Sequence, residues 1–474
     1  MFRHFLSMAL VACWVYSSHR VATAESPTAT IAVDLSTVLR EMTDNPVGIN
    51  YNYLRDDDSN RPKDARPLTG AMKEMNVRWV RYPGGEKSDF HFFSTPPFNA
   101  PAPQTIGWYK RQVKESLDFD EYIQSLRAFG GAPFVVVPYD SIERTGKTKD
   151  EYLKHAVAWV RYSNVEKGYG VKYWEVGNEN WHNNTGTAME IGEVVRDVAR
   201  ALKTVDPRIK VGCSGNSAAW FGEMLKTAGA EIDFLTVSNY FSRNQGYTVY
   251  RNTENMSLLS GATQGALAAL EDSPHKVRIE LFVAEFGAVD FDRSRSMEDR
   301  WEGNDLGHAI VIFDMAGQIL CEPRIRSGMF WTTRWMEDMN PVRRCYALGS
   351  RNEIMPVGRP VAIWGQFLKS QMVAVNSPEG LRTFATFDPA AEELTVFMIN
   401  KGTVRRQLNL SIPAALGYSA AARYEFRGTD SADRKPVWQK TDPLKVTEGG
   451  LTQVDLPAIS ITVLDFPLVL HPAK

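Results

Sequence analysis

From about residue 45 to residue 345 the chain alternates short apolar runs with longer amphipathic stretches, and this alternation restricts its fold more than any other feature. Runs of strand character lie at 47–53, 77–83, 132–139, 171–178, 209–215, 234–240, 277–286 and 328–334. Stretches with helical spacing at 118–129, 151–165, 188–204 and 307–320 fill most of the gaps. Strands that alternate with helices form a parallel sheet, because each return to the same edge needs a crossover. Eight such units close the sheet on itself. The expected architecture of 45–350 is therefore α/β, a (β/α)8 TIM barrel, in which polar residues at the C-terminal strand ends meet on one rim.

The pattern changes after about residue 356. Segments at 394–400, 405–412, 421–426, 451–456 and 459–466 are short, alternate in polarity and are divided by Gly, Pro and Asp, which predicts an antiparallel β-sandwich domain over 356–474. The segment 25–44 has no helix of its own, and its apolar run at 29–35 is expected to add a strand to that sandwich. Residues 1–24 have the layout of a signal peptide: Arg3 and His4, an apolar run at 5–16, then the small residues Ala22 and Ala24. Cleavage after Ala24 would give a secreted or periplasmic protein. Cys13 would leave with the leader. Cys213 reads as a core thiol, and pairing of Cys321 with Cys345 stays open.

Composition narrows the partners. A formal net charge of −2 offers no basic surface for nucleic acid, and no segment has the roughly 20 uninterrupted apolar residues of a membrane span. No metal-ligating motif of clustered His or Cys appears, and the glycines of 83–85 lack a phosphate-cradling pattern, so neither metal nor other cofactor is expected. Oligomeric state is not legible. Two strand-like runs end in carboxylates, Glu179 after the fourth and Glu285 on the seventh. Closing the barrel brings both to one rim, and a pair of carboxyl groups is what glycosidic bond cleavage needs, one to protonate the leaving oxygen and one to attack or stabilise the sugar cation.

The motifs around these residues give the pair a context. The run VRYPGG at 80–85 is similar to the strand-two motif of family 51 arabinofuranosidases, while WEVGNE at 174–179 and VAEFG at 283–287 are similar to families 39 and 79 and to agarase-like members. The chain as a whole resembles glycoside hydrolase clan A, the retaining barrel glycosidases, over roughly residues 28 to 470. The resemblance implies that Glu179 is the general acid/base and Glu285 the nucleophile. It implies further that Asn178 contacts the hydroxyl next to the anomeric carbon and that Arg81 orients Glu285 and keeps it ionised. By the same resemblance Tyr240 hydrogen-bonds the nucleophile and Trp331 floors the sugar site. Ser238 departs from the pattern, standing where many clan members have His.

Other residues admit two readings. Trp181 and His182 directly follow Glu179, where a loop would touch substrate. His91 and His308 are further candidates for the cleft, or else core histidines. Glu175 shares the inward parity of its strand and reads as a structural ion-pair partner. Asp56, Asp57 and Asp58 read as a solvated loop, with Ca²⁺ binding as the other reading. Glu86, Lys87 and Asp89 would set substrate choice or lie on the surface. The function expected is a secreted retaining O-glycosyl hydrolase that cleaves a plant or algal cell-wall polysaccharide or oligosaccharide by double displacement. A catalytically silent carbohydrate-binding protein on a hydrolase scaffold and a transglycosylase are the alternatives.

Overall fold

The computed structural model describes residues 29–93, 104–107, 110, 115–139, 146–182, 186–241, 246–289, 301, 303–334, 346–447 and 449–466. The leader reading at 1–24 and Cys345 lie outside them. Eight parallel strands close a barrel: Val47–Asn50, Trp79–Tyr82, Ala132–Val137, Tyr173–Val176, Lys210–Ser214, Phe234–Phe241, Glu280–Ala288 and Ile325–Phe330. Helices Leu68–Met75, Phe119–Phe129, Lys149–Val160, Ala188–Val205, Ala218–Ala228, Gly261–Glu271, Leu306–Cys321 and Arg359–Phe367 follow them in turn. Local sequence accounts for several of these starts. Asp118 with Glu121, Thr148 with Glu151, and Thr187 with Glu190 form reciprocal capping boxes, which satisfy backbone N–H groups that the first helical turn leaves open. In Ala188–Val205 the buried residues Ile191, Val195, Val198 and Leu202 recur at helical spacing and face the strands.

The floor of the barrel is a plug of large side chains, one from each of several strands: Trp79, Phe134, Tyr173, Phe234, Phe282 and Met329. Ring centroids of Phe134 and Phe282 are 5.2 Å apart and those of Trp79 and Phe282 are 5.3 Å apart. Because side chains alternate along a strand, the next inward position above this plug carries the polar layer. Several strands are shorter than the apolar runs predict. The first ends at Asn50 and not 53, the fourth spans Tyr173–Val176 and not 171–178, and the eighth runs Ile325–Phe330, so that Trp331 lies just past its end. Pairing stops where the chain turns to build the rim, while rim residues there keep the buried, apolar character that sequence reads as strand.

Nine strands form a second sheet, in the order Val437–Lys445, Ala420–Arg427, Ser460–Phe466, Glu393–Asn400, Leu381–Asp388, Gln371–Asn376, Thr30–Glu41, Arg406–Ser411, Leu451–Leu456. Thr30–Glu41 pairs antiparallel with Gln371–Asn376 and parallel with Arg406–Ser411. Three of these strands are absent from the sequence reading. Leu381–Asp388 is buried on both faces, so its polarity does not alternate. Val437–Lys445 is an edge strand, largely exposed, which tolerates Pro443. Strand Glu393–Asn400 shows why the sheet and the barrel are joined: Leu394, Val396 and Met398 enter the sandwich core, whereas Phe397 and Ile399 enter the core shared with the barrel helices. No helix among the described residues is long and apolar enough to cross a membrane.

Candidate active site

The sixth barrel strand, FLTVSNYF, organises the site. Phe234 belongs to the plug, and the same inward parity places Thr236, Ser238 and Tyr240 in ascending order up the wall. Each grips a different carboxyl group. Thr236 Oγ1 donates to Glu175 Oε1 at 2.6 Å, Ser238 Oγ donates to Glu179 Oε1 at 2.6 Å, and the Tyr240 hydroxyl donates to Glu285 Oε2 at 2.7 Å.

Arg81, on the second strand and 1% exposed, ties two of these groups, Glu175 and Glu285, together from the opposite side. Its Nε meets Glu175 Oε2 at 2.8 Å, Nη1 meets Glu285 Oε1 at 2.8 Å, and Nη2 donates to Asn178 Oδ1 at 2.8 Å. Asn50 Oδ1 accepts a further bond from Nη1 at 3.2 Å. Glu175 is thus buried in an ion pair one layer below the rim. Glu179 follows Gly177, which turns at φ 71°, and itself adopts φ 48°, a left-handed conformation unusual for a side-chain-bearing residue. The turn is pinned by Asn180, whose N–H donates to Ser214 Oγ at 2.9 Å, and by the His182 N–H, which donates to the Glu179 carbonyl at 2.7 Å.

The two rim carboxyl groups have unlike partners. Burial and the neighbouring charge of Glu285 push Glu179 up to about 8, against the Ser238 hydroxyl and then the charge of Arg81. Burial raises Glu285 as well, against the downward pull of Arg81, the Tyr240 hydroxyl and Lys87. The expectation that Arg81 keeps Glu285 ionised identifies one of these pulls but omits the larger effect of burial. Of the pair, Glu285 has the direct ion pair with Arg81, whereas Glu179 has a hydroxyl as its partner.

Trp331 is 6% exposed beside this cluster, and the Lys87 ammonium sits 4.5 Å from its ring centroid. Gly85 must lack a side chain, since a Cβ there would come within 2.0 Å of the Trp331 ring, and one on Gly84 would come within 2.0 Å of the Tyr51 carbonyl oxygen. The glycines of 83–85 are therefore there for close packing. Trp181 is half-buried and His182 exposed, their rings edge to face at 5.6 Å, with no contact to either rim carboxyl group among the described residues.

His91 and His308 do not line the cleft. His91 is fully buried, edge to face with Tyr53, and burial lowers it to about 3. His308 stacks on Trp301 at 3.8 Å and bonds Asp305 at the start of its helix. The acidic triplet is a solvated loop only in part, since Asp58 is exposed and Asp57 half-buried while Asp56 is enclosed. Asp56 is 1% exposed and pairs with Arg334, Asp57 caps a 3-10 turn, and Asp58 accepts from the Leu68 N–H at the start of the first barrel helix. Among the described residues no group of His, Cys, Asp or Glu could hold a metal ion. Thr236, Asn50 and the role of Ser238 escape sequence reasoning, although their common parity with Phe234 and Tyr240 is a signal that would have found the first and last.

No family model matches the chain. Among curated proteins it is 29% identical to the probable α-L-arabinofuranosidase C of Aspergillus clavatus, over 32% of this chain and 32% of that one. It is 27% identical to an intracellular exo-α-(1→5)-L-arabinofuranosidase of Streptomyces lividans, over 37% of this chain and 30% of that one. The chain thus spans about a third of the length of the curated relatives it matches. Among solved structures, the α-L-arabinofuranosidase of Thermotoga maritima superposes with a TM-score of 0.72 at 16% identity, covering 93% of this chain and 100% of that one. A family 51 α-L-arabinofuranosidase of Bifidobacterium longum gives 0.70 at 16% identity, with the same coverage. The fold is the one these structures share, a TIM barrel with a C-terminal β-sandwich. The chain is similar to α-L-arabinofuranosidases, family 51 among them.

Proposed function

We propose that this protein is a retaining O-glycoside hydrolase acting on plant or algal cell-wall glycans, with Glu285 as nucleophile and Glu179 as general acid/base. The observation that carries the reading is the grip of Ser238 and Tyr240 on the two rim carboxyl groups. These residues are two apart on one face of a strand, so their Cα atoms are about 6.6 Å apart. Carboxyl groups held side by side in this way, with Glu285 close enough for its charge to raise Glu179, suit the roughly 5 to 5.5 Å separation of retaining enzymes better than the wider gap that an inverting enzyme keeps for water. Glu179 donates its proton to the departing glycosidic oxygen while the Glu285 carboxylate attacks the anomeric carbon. Glu179, now ionised, then takes a proton from water, whose oxygen displaces Glu285. Arg81 and Asn178 fix the frame in which this happens. The similar proteins named above act, by their names, on arabinofuranosides, which makes arabinan the first glycan to try. The leader supports export, with a mature chain beginning at Glu25, and N-terminal sequencing of secreted protein would check this.

The two roles make different mutants. Glu179→Ala should nearly lose natural glycans yet still form the covalent intermediate from activated aryl glycosides, with azide accelerating its release, because general-acid help of about 10² to 10⁴ is dispensable for a stable phenolate. Glu285→Ala should lose both substrate types. The reverse pattern would exchange the roles, and undiminished activity in either variant would remove that residue from the mechanism. Loss of turnover on every glycan tried, with binding retained, would favour the silent binding protein.

A further inference from the structure

Lys87 is a charged side chain beside the rim carboxyl groups that the mechanism above leaves without a task. It lies in the short 3-10 turn Gly85–Phe90 that follows the second barrel strand, and it is only 3% exposed. Its stem is enclosed by the fold and its ammonium lies over the Trp331 ring at 4.5 Å. Among the described residues no carboxylate or carbonyl forms a hydrogen bond or ion pair with it. Glu285 is the charge that influences it most, and burial lowers it to about 8, so it remains largely cationic at neutral pH. Arg81 holds Glu175 and Glu285 through direct contacts, and Lys87 acts on Glu285 only at longer range. An ammonium on a largely buried stem, held over an aromatic face and without an ion pair of its own, is disposed to take an anionic partner.

We propose that Lys87 is a specificity-determining residue that receives an anionic substituent of the bound sugar, a uronate carboxylate or a sulfate ester, beside the Trp331 ring. This rests on the hydrolase reading and deepens it by naming the substrate class. The ring fixes the ammonium in place, and the ammonium offers up to three donors to the anion. Charge-assisted hydrogen bonds of this kind are about twice as strong as neutral ones, and their loss from a dry site costs about tenfold or more in binding. A neutral sugar leaves the cation uncompensated.

The test compares matched glycans: pectic galacturonan with its carboxyl-reduced form, carrageenan with its desulfated form, and neutral arabinan as reference. In the unaltered protein kcat/KM, or affinity measured by calorimetry on the Glu179→Gln variant, should favour one native anionic glycan over its neutralised counterpart by about tenfold or more. The preferred pair separates carboxylate from sulfate. Lys87→Met, which keeps the apolar stem, should collapse that ratio towards one, and Lys87→Arg should restore part of it. If Lys87 instead acts only on Glu285, Lys87→Met changes activity on native and neutralised glycans by the same factor, and the proposal falls. It falls equally if arabinan is cleaved and neither anionic glycan is preferred or bound. Should no glycan and no aryl glycoside be cleaved, the hydrolase reading fails, and the affinity ratio alone decides the role of Lys87.

Discussion

Ser238 shows how much one hydroxyl controls. It is the near neighbour that stabilises the ionised form of Glu179, whose carboxyl burial and the charge of Glu285 push up to about 8. Glu179 must be protonated to act as an acid, so kcat/KM should fall as pH rises through about 8. In Ser238→Ala the basic limb should move upward by about one unit, because a hydrogen bond to the charged form has been removed. A pH profile that does not move would show that another group sets the limb. The same raised value has a stability consequence. A carboxyl group bound more tightly to its proton in the folded state than in the unfolded chain supplies stability that is fully present below its ordinary value of 4.5 and lost as pH rises to about 8. Glu179→Gln escapes that loss, so its melting temperature should exceed that of the unaltered protein at pH 9 by more than at pH 4. Glu179 and Glu285 stand out in sequence as a pair of carboxyl groups at two strand ends, whereas Arg81 and Tyr240 stand out only through the resemblance of the surrounding motifs. Thr236 and Asn50 do not stand out, since small polar residues occur everywhere, and only the neighbour each one touches gives it meaning.

The seventh strand carries a feature that period-two reading cannot supply. Phe282 and Ala284 both belong to the inward plug, so strict alternation would aim Glu285 outward at the helices and Phe286 into the site. The structure does the opposite, because the register against the sixth strand slips between Val283, opposite Val237, and Glu285, opposite Ser238. One extra residue there forms a bulge that re-aims the carboxylate, a use of bulges common beside active sites. The freed Ala284 carbonyl is satisfied by Asn50 Nδ2 at 2.7 Å, and the same side chain accepts from Arg81. Asn50→Ala should therefore cost about 1 to 3 kcal/mol of stability in denaturant melts, through a buried carbonyl left without its donor. It should also slow natural and activated substrates alike, since it loosens the nucleophile and not the acid. Unaltered kinetics on activated aryl glycosides would show that the bulge holds Glu285 without Asn50.

At the scale of the whole molecule, barrel and sandwich are built as one unit, and the chain order shows it. Strand Thr30–Glu41 precedes the barrel yet lies inside the second sheet, between Gln371–Asn376 and Arg406–Ser411, so the sandwich closes only when both ends of the chain have met. The seam is apolar: Trp364 stacks on Phe313 at 4.8 Å and meets Phe397 from the sandwich at 4.3 Å, and Gly317 is small where Phe384 crosses. A buried ion pair crosses it too, Arg382 Nε to Asp314 at 3.2 Å, with Asp314 fully enclosed. Sequence predicted both layers from their different periods, but it could not show this seam, because Phe397 and Trp364 look like any core residues until the two sheets are placed. Trp364→Ala opens a cavity at the centre of the seam and should cost about 3 to 5 kcal/mol. Calorimetry should show a single transition in both forms, shifted down as a whole in the variant. Truncation after residue 356 should fail more severely, since it strips the cover from Phe313, leaves Asp314 without Arg382, and exposes both edges of Thr30–Glu41 to pairing with other chains. The expected product is insoluble. A soluble truncated barrel with full activity, or two separate transitions in the intact protein, would show instead that the sandwich folds and serves as a module of its own.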